Sequence, residues 1–199
     1  MSSDPRARVG LLGGTFDPPH VGHLIVAEEA RVELGLDEVR FLVAGDPWMK
    51  EQAASATQRV EMTQLAVDGH AGLSVDARET ERSGPTYTAD TLDELSEEEP
   101  GCDWVFLVGA DAVADIPEWE RAQDALAMAE FVAMTRSGYD LDLDHPMTTA
   151  LGRLEVPDVS VSSTDLRDRF AAGRAVRFQL PRAVERYVRE HGLYGAAHE

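Results

Sequence analysis

Of the chain's 199 residues, only one is a cysteine and only one a lysine. Cys102 has no partner within the chain, so no internal disulfide is available and a reducing compartment is the default expectation. No stretch approaches the ~18 uncharged apolar residues that a membrane span needs. The opening residues Met1-Ser2-Ser3-Asp4-Pro5 lack the apolar core of a secretory signal. A cytoplasmic protein is therefore expected. Basic residues are scarce: 18 Lys plus Arg stand against 37 Asp plus Glu, for a net charge of −19. Non-specific nucleic-acid binding and polybasic membrane adhesion both require a basic face, so neither nucleic acid nor membrane is expected as a partner. All the basic residues except Lys50 are arginines. That skew fits a GC-rich genome and, with so many acids, a host whose internal salt screens self-repulsion. Against it, the lone Lys50 stands out.

What the sequence does contain is an alternation of short apolar runs with helical patterns. Strands are predicted over 9–12, 39–44, 73–77, 104–108, 131–134 and 159–161. Helices are predicted over 21–34 with Gly35 at the end, over 57–67 closed by Gly69, and from an N-capping Thr88 through Leu95. Further helices are expected over 119–128, over 164–172 ended by Gly173, and over 181–191 with Pro181 as first residue. The segment 140–146, with aspartates at alternating positions, is expected to be an exposed loop. Length and the absence of repeats or linkers fit a single domain over 1–199, with a small C-terminal helical part at about 162–194. Strand–helix alternation predicts an α/β fold with a parallel sheet joined by right-handed crossovers. Ligands of such sheets sit outside the carboxyl ends of the strands, near the switch point. Chemistry is therefore expected just after Leu12, Ala44, Ala77, Val108, Met134 and Val161.

The first of these loops reads Gly13-Gly14-Thr15-Phe16-Asp17-Pro18-Pro19-His20-Val21-Gly22-His23. Glycines at 13 and 14 lack a Cβ and let a phosphate or ribose approach the backbone. The next helix starts near His20, and its N-terminus offers unpaired N–H groups and partial positive charge. His20 and His23, three apart, share a helix face. Together these features form a phosphate cradle. The alternatives are a plain turn with a capping histidine, or a two-histidine metal site without an obvious third ligand.

This string resembles the (T/H)xGH signature of the nucleotidyltransferase superfamily, in the GGTFDPxHxGH form of the nicotinate-nucleotide adenylyltransferases. Ser162-Ser163-Thr164-Asp165-Leu166-Arg167 resembles that family's SSTxIR segment. Hydroxyls at a helix start, with an arginine one turn later, also make a second anion site, the alternative being an ordinary cap with a surface arginine. Thr86-Tyr87-Thr88 followed by Asp90-Thr91-Leu92 resembles (S/T)YTxxTL. Gly109-Ala110-Asp111 with Trp119 further on resembles the family's GAD…W region. Trp48 and Lys50 are similar to its substrate loop, where a lysine can follow a moving phosphate. Arg136-Ser137-Gly138-Tyr139 is similar to RPGY, with serine replacing proline. The tail from Leu180 through Tyr187 to Tyr194 resembles LPxxVxxYIxxxxLY, so the likeness runs from about Val9 to Tyr194.

The resemblance implies a Rossmann-like, doubly wound parallel sheet with helices on both faces. It also implies transfer of the adenylyl group of ATP to nicotinate mononucleotide in NAD biosynthesis, releasing pyrophosphate. The nucleophile would be the mononucleotide's own phosphate, mostly ionised at neutral pH with a second pKa near ~6. Attack would be direct and in line, with no covalent enzyme intermediate. On this basis His20, His23, Lys50 and Arg167 are the expected catalytic residues. Gly13, Gly14, Thr15, Phe16, Gly109, Asp111, Arg136, Ser163 and Thr164 would hold ATP. Trp48, Thr86, Tyr87 and Trp119 would hold nicotinate mononucleotide, the indole of Trp119 offering a flat face to a flat ring. Mg²⁺ would be bound mainly through ATP, with no dedicated protein ligands. Both substrates are anions, so the acids are expected to avoid the mouth of the cleft. An adenylyltransferase for nicotinamide mononucleotide or phosphopantetheine, and a non-catalytic nucleotide sensor, are the alternatives. A homo-oligomer is left open.

Overall fold

A computed structural model describes residues 6–45, 53–136 and 145–197. Six strands, β1 (Ala7–Gly14), β2 (Glu38–Val43), β3 (Leu73–Asp76), β4 (Cys102–Gly109), β5 (Glu130–Thr135) and β6 (Gly152–Glu155), form one sheet. Its order is β3-β2-β1-β4-β5-β6, and every neighbouring pair is parallel. Leu11 at the centre lies between Arg40 of β2 and Phe106 of β4. The helices are α1 (Val21–Glu33), α2 (Ala56–Val67), α3 (Arg78–Glu81), α4 (Thr88–Glu98), α5 (Ala122–Met128), α6 (Ser163–Ala171) and α7 (Arg182–Glu190). Short 3-10 helices cover Ala110–Glu118 and Leu193–Gly195.

Side chains alternate across a strand, and both faces of this sheet are covered. Val9, Leu11, Trp104, Phe106, Val108 and Phe131 pack with Ala89, Leu92 and Leu95 of α4 on one face. Leu12, Val105, Leu107, Val132 and Met134 point the other way and pack with Ala27 and Ala30 of α1. A third cluster joins Met62 and Ala66 of α2 to Leu166 and Phe170 of α6 and to Val184 and Val188 of α7. The α/β doubly wound expectation thus agrees with the structure, and the C-terminal helices pack on α2. No helix among the described residues is long and apolar enough to cross a membrane.

Among the boundaries that differ from expectation, four concern the site or the last helices. The last strand is Gly152–Glu155, not 159–161. It is an edge strand with only Leu154 buried, so it has no apolar run to detect. Val159 and Val161 instead line the cleft described below. The helix expected from Trp119 begins at Ala122, and Trp119 ends the preceding 3-10 helix. Tyr87, not Thr88, is the N-cap of α4, and Pro181 precedes α7 as its N-cap.

The acids of α4 are largely matched by arginines. Arg121 reaches Asp90, Asp93 and Asp124, while Arg82 reaches Glu94 and Arg78 reaches Glu98. Exposed pairs of this kind add little stability, whereas Leu92 is fully buried. Leu92→Ala is expected to lower the unfolding free energy by about 2–5 kcal/mol, measured by urea titration. Arg121→Ala, measured the same way, should shift the midpoint far less.

Candidate active site

The strand order reverses between β1 and β4, the place where an open α/β sheet leaves a crevice. A cleft of about 720 Å³ opens there, at the carboxyl ends of β1, β4 and β5. Gly13, Gly14, Thr15, Phe16, His20, His23, Gly109, Asp111, Arg136, Ser163, Thr164 and Arg167 all line it. Thr86, Tyr87 and Trp119 do not, and Trp48 and Lys50 lie outside the described residues. Among the described residues, Asp17 and Asp111 are the only acids in the lining.

His20 is the N-cap of α1 and His23 lies in its first turn. Their rings stack at 3.7 Å between centroids, 19° from parallel. The His20 backbone N–H donates to His23 Nδ1 at 3.2 Å, which places the proton of a neutral His23 on Nε2. His20 is buried, and among the described residues its Nδ1 has no hydrogen-bond partner. Desolvation lowers its pKa from 6.5 to about 4, so it is neutral at neutral pH. A Cβ at Gly22 would lie 3.0 Å from His20 Nδ1, so the His20 ring would have to give way by a few tenths of an ångström.

Gly14 has a different reason from the one expected. Phe16 has φ of 51°, and its ring turns back over Gly14, where a Cβ would lie 2.7 Å from it. That ring is buried against Phe41 and the edge of His23. The space beside Gly14 is therefore filled by protein, and what Phe16 can offer a ligand is its backbone.

The second anion segment meets the first directly. Ser162 caps α6 through a bond from the Asp165 N–H. Ser163 Oγ donates to the Pro18 carbonyl at 2.8 Å, and Arg167 Nη1 donates to the Asp17 carbonyl at 2.8 Å. Arg167 Nη2 also reaches Thr164 Oγ1 at 3.3 Å. Across the cleft, exposed Arg136 pairs with Asp158 at 3.4 Å. Asp111 is exposed, and its carboxylate folds back over Gly109.

Sequence reasoning missed four residues around this site. Asp158, the partner of Arg136, carries no motif signal. Asp17, inside the first loop, is buried; its carboxylate accepts the N–H groups of Ala53 at 2.7 Å and Ala54 at 3.2 Å, and the Tyr194 hydroxyl at 2.6 Å. Arg59 is buried on the face of α2 that carries Met62 and Ala66, and it donates to the carbonyls of Thr15, Ala44 and Gly45. Burial pulls its pKa down, and the nearby Asp17 opposes this. An arginine on an apolar helix face was the available signal. Glu79 is buried beneath the segment carrying Thr86, and the Thr91 hydroxyl donates to it at 2.8 Å.

The residues expected at the pyridine end are placed as follows. Gly45 packs so closely on Glu79 that a Cβ would lie 2.0 Å from its carbonyl oxygen and 3.1 Å from Thr86 Oγ1. Among the described residues that buried Thr86 hydroxyl has no hydrogen-bond partner. Tyr87 is half-buried at the start of α4. The half-buried Trp119 meets Phe106 edge-on at 6.2 Å between centroids and lies 6.4 Å from Phe131.

Residues 11–169 match the cytidylyltransferase-like family. Full-length relatives carry the name "Probable nicotinate-nucleotide adenylyltransferase". One from Thermus thermophilus is 44% identical over 187 residues, covering 94% of this chain and 99% of the relative. One from Leifsonia xyli subsp. xyli is 40% identical over 194 residues, covering 98% and 97%. Among solved structures, Plasmodium falciparum nicotinic acid mononucleotide adenylyltransferase complexed with NaAD shares the fold, with a TM-score of 0.79 at 17% identity over 96% of this chain and 98% of that one. The same enzyme complexed with APC gives 0.75 at 16% identity, covering 96% and 98%.

Two opposite pH dependences are expected. Burial raises Glu79 from its ordinary 4.5 to about 7. Its contribution to stability is complete below pH 4.5 and is lost as pH rises to about 7. His20 is lowered, so its contribution is complete above pH 6.5 and is lost as pH falls to about 4. Urea titrations across pH 4.5–7 should show Glu79→Gln lacking the first decline. An unchanged slope would contradict the assignment.

Proposed function

We propose the following reaction for this chain, which belongs to the cytidylyltransferase-like family and, within it, to the nicotinate-nucleotide adenylyltransferases: it transfers the adenylyl group of ATP to nicotinate mononucleotide, giving nicotinate adenine dinucleotide and pyrophosphate. The observation that carries this is the meeting of two anion-binding segments in one cleft, joined by the Ser163–Pro18 and Arg167–Asp17 bonds. A triphosphate needs such a bracket, and the doubly wound fold supplies it at its switch point.

A phosphate oxygen of the mononucleotide attacks the α-phosphorus of ATP. A new P–O bond forms, the α–β bridge breaks, and its electrons leave with pyrophosphate. No protein nucleophile takes part. Cys102 starts β4 at the opposite end of the strand from Gly109, and burial and Glu99 raise its thiol pKa. The protein supplies position and charge stabilisation. His20, neutral at rest, donates a hydrogen bond to phosphate without bringing a fixed charge. His23, stacked on it, acts beside it. Arg136, Arg167, Ser163 and Thr164 hold the triphosphate, with Lys50 neutralising further phosphate charge. Thr86, Tyr87, Trp48 and Trp119 take the pyridine end; the buried Thr86 hydroxyl, without a partner among the described residues, supports this.

Mg²⁺ would enter with the triphosphate and neutralise part of its charge. Among the described residues no cluster of three or more His, Cys, Asp or Glu could hold a metal, and the Asp17 carboxylate is occupied by backbone N–H groups. Among the described residues Asp111 is the remaining cleft acid, a donor set that fits an ion carried mainly by substrate.

The test is pyrophosphate release from ATP and Mg²⁺ with nicotinate mononucleotide, against nicotinamide mononucleotide, at low and high salt. Turnover favouring nicotinate is expected. His20→Ala, checked for folding, should lower kcat by about 10²–10³-fold, the usual cost of one charge-stabilising donor. No pyrophosphate with either acceptor would overturn the assignment.

A further inference from the structure

Arg59 is fully buried, yet no step of the transfer uses it directly. A guanidinium removed from water is costly unless its donors are met. Arg59 Nη1 donates to Thr15 O at 3.0 Å and Ala44 O at 2.6 Å, and Nη2 donates to Gly45 O at 2.9 Å. Thr15 belongs to the loop after β1, and Ala44 and Gly45 to the segment after β2. The two segments are also tied by the Ala44 N–H, which donates to Gly14 O at 2.9 Å.

The carbonyl bonds fix the direction of a peptide plane. In a trans peptide the C=O and the following N–H point in opposite directions. Because Arg59 draws the Thr15 carbonyl towards α2, the Phe16 N–H points away from α2. Thr15 and Phe16 both line the cleft, and the Phe16 N–H has no acceptor among the described residues. The left-handed φ of Phe16, 51°, is held by the same contact and by its ring over Gly14. A backbone N–H aimed at developing phosphoryl charge is a strong stabiliser when it needs no reorganisation.

We propose that Arg59 is a positioning residue for adenylyl transfer: it holds the Thr15–Phe16 peptide plane so that the Phe16 N–H faces the reacting phosphate, and anchors that loop to the end of β2. This rests on the cleft being the site of adenylyl transfer. Lysine cannot replace it, because a compact ammonium lacks the planar fork that reaches three carbonyls on two segments.

The test uses Arg59→Lys and Arg59→Ala in the full chain, with folding checked by circular dichroism and thermal melting. Steady-state kinetics are run below both melting midpoints. Arg59→Lys is expected to lower kcat by about 10²-fold with much smaller changes in both KM values. Millimolar guanidinium chloride should restore part of the kcat of Arg59→Ala, and equal sodium chloride should not. In the wild-type protein the Phe16 amide resonance should shift when ATP binds, and that shift should be lost in Arg59→Lys. A folded Arg59→Lys with wild-type kcat would overturn the proposal. So would a wild-type Phe16 amide indifferent to ATP, which decides the matter even if both variants fail to fold. Wild-type protein that binds ATP with the Phe16 shift but releases no pyrophosphate would instead count against adenylyl transfer.

Discussion

Two buried ions of opposite charge, Asp17 and Arg59, fasten the segments that meet at the cleft. The Asp17 carboxylate gathers the approach to α2, through Ala53 and Ala54, and the C-terminal turn, through Tyr194. Its carbonyl receives Arg167 from α6. Arg59 ties the same loop to the end of β2. Burial of the Asp17 carboxylate is offset by its accepted hydrogen bonds, and burial of Arg59 by the bonds of its two Nη atoms, Nε having no partner among the described residues; each ion also lies near the other. The first phosphate loop is therefore held from three sides, and the C-terminal helices, remote in sequence, become part of the site. The bond from the Val21 N–H to the Gln179 carbonyl at 3.0 Å extends this to the start of α1.

The charge balance poses a problem that the cleft meets locally. In the proposed reaction a chain of net charge −19 receives two anions. Many of its acids are engaged away from the cleft, as in the Arg121 cluster and in the Arg40 fork on Glu99. Among the described residues, the positive contributions at the cleft are Arg136, Arg167, helix N-termini and backbone N–H groups, all short-ranged. Neutral His20 fits this economy of charge. Two stacked imidazolium rings at 3.7 Å would repel strongly, and burial already disfavours the first.

Much of this was legible in the sequence where one physical signal dominated. The unbroken apolar runs Leu11-Leu12 and Trp104 through Val108 require a sheet covered on both faces, and it is. The histidine and serine–threonine segments come together because strand ends and helix starts converge at the switch point. What was not legible depends on tertiary context. The edge strand Gly152–Glu155 buries only Leu154 and carries no period. Trp119 reads as a helix start, although it closes a 3-10 turn against Phe106. Gly14 reads as room for a phosphate, whereas the left-handed φ of Phe16 puts a ring there. Arg59 shows only as an arginine among apolar helix positions, and nothing local says that three carbonyls await it.

The proposed reaction is a single displacement at the α-phosphorus, held by position and charge without a protein nucleophile. The most direct measurement is the stereochemical course with ATP carrying a chiral α-thiophosphate and nicotinate mononucleotide as acceptor. One in-line displacement inverts the configuration at phosphorus in the dinucleotide product, and inversion is the predicted result. Retention would require two displacements through a covalent adenylyl-enzyme, and would contradict the mechanism.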